Sequence, residues 1–410
     1  MTDPAAARDT VNRRHVFFLS GFDPKGASHY HAIHATEAAK QDTVTGMSTA
    51  VGQRQRDAQG NSHWTVLSQP AVGDPASPSA RQQACETTVE FVRWDDIVRK
   101  HWPRSPWRLL MDLVFAYTLI LRSGGIVTTW QLSRKTLVGL AYPLVVIGGC
   151  VGFAIGASLW LAMTLVGNGT AWPIAAAAGL GLLALGLWAT HKLEAQLNST
   201  WLVRIFSFTG RHACGQLPEL DTRLGTLAQK IADKLRSPEL DEVLVVGFSV
   251  GSILSVSGVA RAHTASGETT SPLASDRPAL SLMTLGHCIP MLGLLPQAAR
   301  FRDELKVLAG APTLRWIDFS SVTDWGSFAM VDPVEACRIK LPAGHKYNPT
   351  MRSPRFHTQF SAAVYDKLRR NKRRIHMQYL MAGELPSDYD YFAITSGGLT
   401  LDARYPRSPD

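Results

Sequence analysis

The sequence predicts an α/β fold, a mostly parallel sheet with helices on both faces, interrupted by an inserted transmembrane helical hairpin. Three observations predict it. Short runs rich in β-branched and aromatic residues (15–20, 243–246, 279–285, 313–319) alternate with stretches of helical periodicity, as parallel strands covered on both faces require. Between them lie two uncharged runs, 136–166 and 171–190, each reaching the roughly 18 to 20 apolar residues of a membrane span. Finally, Gly247-Phe-Ser-Val-Gly251 stands between a buried strand and a helix, where small residues let the chain turn sharply and lift a serine hydroxyl above the sheet edge.

Length and composition set the frame. A chain of 410 residues with 45% hydrophobic side chains has material for one large domain or two ordinary ones. The net charge of +9 would suit nucleic acid, but no nucleic-acid module is recognisable and the basic residues gather near the apolar segments. The partner expected is a lipid bilayer, with no nucleic acid. The five cysteines lie far apart without metal or redox spacing, so a reducing compartment, no cofactor and no metal are expected. Residues 1–14 are polar, lack the apolar core of a signal peptide, and are expected to be disordered.

In chain order, 15–101 reads as the first part of the α/β domain. Strand 15–20 runs into the turn-rich loop 21–26 and a helix at 28–41. Strands 43–55 and 61–69 form a hairpin at the sheet edge, 70–81 is a Pro/Ser/Ala loop, 87–94 is the next core strand and 95–100 starts a short helix. Residues 102–210 form the membrane insertion, with an interfacial helix at 107–121 and the two spans. Gly148, Gly152 and Gly156 on the first span and Gly179 and Gly186 on the second supply small residues for close packing, and Pro143 is placed to kink the first. Basic residues (Arg122, Arg134, Lys135, Lys192, Arg204) flank the hairpin and its loop carries none. The positive-inside rule therefore puts the soluble domain on the cytoplasmic side of the inner (plasma) membrane.

Residues 211–382 resume the α/β rhythm, with helices at 220–236, 252–263 and 297–308, and 356–380 reading as one long helix with a basic run. That run suits lipid headgroups or a solvated face equally. Residues 383–410 read as an irregular tail.

A serine needs a histidine to take its proton and an acid to hold that histidine. The order donor loop, G-x-S-x-G, Asp after a later strand, then His resembles the α/β-hydrolase fold superfamily, over about 15–100 and 205–380. Within it, the Gly21-Phe-Asp-Pro opening and the hairpin insertion look like a poorly characterised bacterial membrane-anchored group. The resemblance implies Ser249 as nucleophile, with the amides of Val250 and Phe22 as oxyanion donors. It implies Asp324, past the end of its strand, as acid, with Asp318 the alternative. His357 is implied as base, with His345 the rival; His287 precedes the acid and is read as structural. The H-x-H-x-x-H at His29, His31 and His34 puts only two rings on one helix face and is read as lining rather than metal binding. The expected function is a membrane-anchored serine hydrolase for an ester or thioester, of a lipid or acyl chain. Acyl transfer would use the same residues. The contrasting expectation is an inert scaffold of the same fold, in which Ser249 is only a turn residue. Oligomeric state, headgroup and chain length leave no trace in the sequence.

Overall fold

The computed structural model describes residues 9–58, 60–70, 84–102, 105–124, 127, 130, 134–197, 199–265 and 278–407. Among these, nine strands join one sheet: β1 (Arg13–Leu19), β2 (Ser48–Val51), β3 (Gln55–Arg56), β4 (Ser62–Gln69), β5 (Cys85–Phe91), β6 (Glu242–Phe248), β7 (Ala279–Leu285), β8 (Arg315–Phe319) and β9 (Thr350–Arg352). The order is β2-β4-β5-β1-β6-β7-β8-β9, with β3 beside β4. From β5 through to β9 all neighbours run parallel, whereas β2, β3 and β4 form the expected antiparallel edge. The fold is thus α/β with a mixed, mostly parallel sheet. Burial follows pairing: β6 is buried at every position, while the side chains of β4 alternate between more and less buried.

The chain divides into two compact units, one built from the chain up to Trp102 and from Arg211 onward, the other from the stretch between. The sheet belongs to the first unit. Its strands β5 and β6, which flank the insertion in sequence, both pair with β1, so the chain leaves the sheet and returns to it. Helices Ala27–Thr45, Pro218–Leu235, Gly251–Ala265 and Ala299–Ala309 belong to the same unit.

Three expectations are corrected in this unit. The proposed strand at 43–55 begins as helix, which runs to Thr45 and ends at Gly46 with φ of 72°, leaving only Ser48–Val51 and Gln55–Arg56 as strand. The long helix at 356–380 is four pieces: a 3₁₀ turn at Phe356–Thr358, helices Ala362–Arg370 and Lys372–Met377, and a 3₁₀ turn at Gln378–Leu380. Asn371 makes the break, because it leaves the helical region and its side chain caps the next helix by accepting from the Arg374 amide. The tail is not irregular. Asp390 and Thr400 cap helices Tyr391–Ser396 and Leu401–Arg404, which bury Tyr391, Phe392, Ile394 and Leu401 in the main core. Those helices are too short to show a period, so only their caps announce them. Of the N-terminal stretch expected to be disordered, 1–8 lie outside the described residues; Thr10 bridges to Leu399 and Arg13 opens β1. The loop at 70–81 lies almost wholly outside them too.

The second unit is helical. A helix, Pro106–Arg122, stands where one was expected at 107–121, and Ser207 donates to its Asp112 at 2.8 Å. Leu137–Gly167 and Trp172–Glu194 are long and apolar enough to cross a membrane, with mean hydropathies of 2.1 and 1.7. Pro143 lacks an amide hydrogen, and a π-helical turn, Leu144–Gly148, follows it directly. The two helices pack where Gly186 meets Ala154 and Gly179 meets Ser158 and Ala162. Gly148, Gly152 and Gly156 face open space instead, so only one glycine set serves the contact. Large side chains such as Phe153, Trp160, Trp172 and Leu180 stand exposed along these helices, a surface rarely left to water.

Candidate active site

Ser249 follows β6 directly and has φ of 56°, a left-handed conformation costly for a residue with a side chain. The flanking glycines make that turn possible. A Cβ at Gly247 would lie 2.7 Å from the Ser252 Cα, and one at Gly251 would lie 2.5 Å from the carbonyl oxygen of Ser20 and closer still to that of Leu19. Helix Gly251–Ala265 can therefore start tight against the end of β1. Gly21 is equally close, since a Cβ there would stand 3.1 Å from the Ser249 Cβ. This puts the loop that carries Phe22 against the serine. Phe22 and Val250 are both buried, and the Asp23 amide donates to the Gly21 carbonyl at 2.8 Å, which tightens the loop.

The Ser249 hydroxyl lies 3.0 Å from Nε2 of His376, whose Nδ1 lies 2.9 and 3.0 Å from the two carboxylate oxygens of Asp324. An ionised carboxylate only accepts, so Nδ1 carries the hydrogen and Nε2 is left to accept from the serine. Asp324 is fixed in turn by the Gly326 amide at 2.9 Å and by the Tyr379 hydroxyl at 3.1 Å, while that hydroxyl accepts from the Ser321 amide at 2.8 Å. Burial pushes the Asp324 carboxyl up, but the charge and hydrogen bond of His376, with the Gly326 and Ser327 donors, hold it below the usual carboxylate range. Glycines clear the space: a Cβ at Gly326 would lie 2.9 Å from His376 Nδ1, and one at Gly286 3.0 Å from Asp324 Oδ2. Cys288 Sγ sits 3.8 Å from the Ser249 hydroxyl, and burial pushes its thiol up to about 12, so it is neutral beside the serine.

Two of the three expected triad residues thus come together, and the third position is taken by a different histidine. His357 is exposed on the 3₁₀ turn and packs its ring toward Tyr365, 6.2 Å away. His345 is exposed too, with Nδ1 turned to the Ala343 carbonyl at 2.9 Å. Reading 356–380 as one helix with a basic face hid His376; the break at Asn371 carries it to Ser249. The signal available was the Asn371 cap itself, three residues before Arg374.

The other candidates have structural surroundings. Asp318 is fully buried within β8, and its Oδ1 accepts from Thr284 at 2.7 Å. His287 lies 3.0 Å from the Val331 carbonyl through Nε2. His31 Nε2 meets the Gly52 carbonyl at 2.9 Å, His29 faces Lys25, and His34 is buried among Trp64, Tyr391 and Phe392, where desolvation lowers it to about 4.

No protein-family model matches the chain, and no curated protein or solved structure shows significant similarity to it.

Proposed function

We propose that the chain is a membrane-anchored serine hydrolase of α/β-hydrolase type that cleaves an ester or thioester of a lipid or acyl chain. The observation that carries this reading is the relay Ser249–His376–Asp324, with both hydrogen bonds at about 3 Å and the serine on a strained strand-to-helix turn. A hydroxyl at that distance from an imidazole held by a carboxylate is activated for attack. His376 takes the Ser249 proton as the hydroxyl oxygen bonds to the substrate carbonyl. The amides of Val250 and Phe22 stabilise the oxyanion, and His376 returns the proton to the departing alcohol or thiol. Water, deprotonated by His376, then releases the acyl group; an alcohol in its place would give acyl transfer by the same residues.

The two apolar helices support the anchor, and the basic residues flanking them support a soluble unit on the cytoplasmic side. A lipid or acyl substrate follows from an anchor inserted within the catalytic chain. A fluorophosphonate probe applied to membranes tests the reading: wild type should label and Ser249→Ala should not, while Ser237→Ala keeps labelling. Absence of labelling in folded wild type would remove the hydrolase.

A further inference from the structure

Past the C-terminal end of β5 the chain forms a concavity of about 260 Å³, walled by Arg54, Arg56, Arg93, Arg99, Asp95 and the start of the helix after Gly26. We propose that this cavity binds a phosphate group.

The charge balance favours an anion. Four arginines and one aspartate in the wall leave three positive charges. Asp95 is taken up by Arg99 at 2.5 Å, and the carboxylate nearest Arg93 is Asp96, at 3.8 Å and shared with Arg223 at 3.1 Å. Arg54 donates to the Ser62 hydroxyl at 3.1 Å, and among the described residues neither Arg54 nor Arg56 has a carboxylate partner. Guanidinium groups gathered in a concave wall raise the local positive potential, and the guanidinium fork matches a phosphate's oxygens in pairs. Gly60, with φ of 82°, makes room for this: a Cβ there would lie 2.8 Å from Arg93 Nη1.

The cavity is set apart from the serine. Arg56 of β3 pairs with Ser62 of β4, which pairs with Phe91 of β5, which pairs with Phe18 of β1, the neighbour of β6. Three strands therefore stand between Arg56 and β6, about 19 Å at ordinary strand spacing.

Isothermal titration of the full chain in an uncharged, phosphate-free detergent, at constant ionic strength, tests the site with inorganic phosphate. Wild type and Ser249→Ala should bind alike, and the double change R54Q/R56Q should weaken binding at least tenfold. Gly60→Ala, which displaces Arg93 and keeps every charge, should weaken it several-fold, and Arg236→Gln should leave it unchanged. Wild type binding phosphate no more tightly than R54Q/R56Q would overturn the proposal. Competition by short-chain phosphatidic acid against glycerol 3-phosphate then identifies the source: the tighter competitor is a lipid headgroup or a soluble ester respectively. Because Ser249→Ala is silent in this titration, phosphate binding without fluorophosphonate labelling would remove the hydrolase and keep the cavity, and labelling without phosphate binding would do the reverse.

Discussion

Two carboxylate–histidine pairs lie at or just past the end of β8, and they are built from the same residue types to opposite effect. Asp324 and His376 meet at 2.9 Å, and an amide and a phenol hydroxyl support the carboxylate. Asp318 and His287 stand 3.9 Å apart; among the described residues Asp318 Oδ2 and His287 Nδ1 have no hydrogen-bond partner, and His287 Nε2 turns to a backbone carbonyl. Both aspartates are buried, so desolvation pushes both carboxyls up. The donors around Asp324 reverse that push, while those around Asp318 leave it raised. Burial acts alike on both carboxyls; the donors around each decide the direction in which it moves.

Substitutions can break this contrast, and the largest effect is expected at the serine. Ser249→Ala should reduce ester hydrolysis by about 10⁶-fold in kcat, read in a steady-state assay with a short acyl ester. Asp324→Asn should reverse the hydrogen bond to Nδ1 and fix the wrong tautomer, with a loss of about 10⁴-fold and little change in KM. Gly247→Ala, which drives a methyl group into the helix start, should destabilise the fold by about 3 kcal/mol, measured by thermal unfolding.

The smallest change is expected at the other pair, and it carries a pH signature. Asp324 has a depressed folded value, so its contribution to stability is present above the unfolded value of about 3.9 and is lost as pH falls through the folded value. Asp318 has a raised value, so it favours folding at low pH and opposes it as pH rises through that value. Asp318→Asn should therefore raise Tm more at pH 8 than at pH 3, which lies below the unfolded value, and leave hydrolysis close to wild type. Equal changes in Tm at both pH values would contradict the assignment.

How much of this was legible in the sequence follows from range. The strands β1 and β5 to β8, the G-x-S-x-G turn and Asp324 were readable because each rests on local pattern: apolar runs, glycine spacing, and a loop just past a strand. Ser249 and Asp324 each bond to His376, not to the expected His357. His376 was not readable, because a basic run at helical spacing outweighed one capping asparagine, and the break at Asn371 became evident only with the chain packed against Tyr379 and Phe248. The tail helices were hidden for the same reason, being held by burial in the core rather than by their own periodicity. The glycines of the first apolar helix mark the converse limit, since regular spacing did not reveal which face meets its neighbour.

The most direct measurement is the rate of fluorophosphonate labelling in His376→Ala beside His357→Ala, at pH 8 in membranes. Labelling should fall at least a thousandfold in His376→Ala and stay within twofold of wild type in His357→Ala. Full labelling of His376→Ala, or its loss in a folded His357→Ala, would contradict the relay.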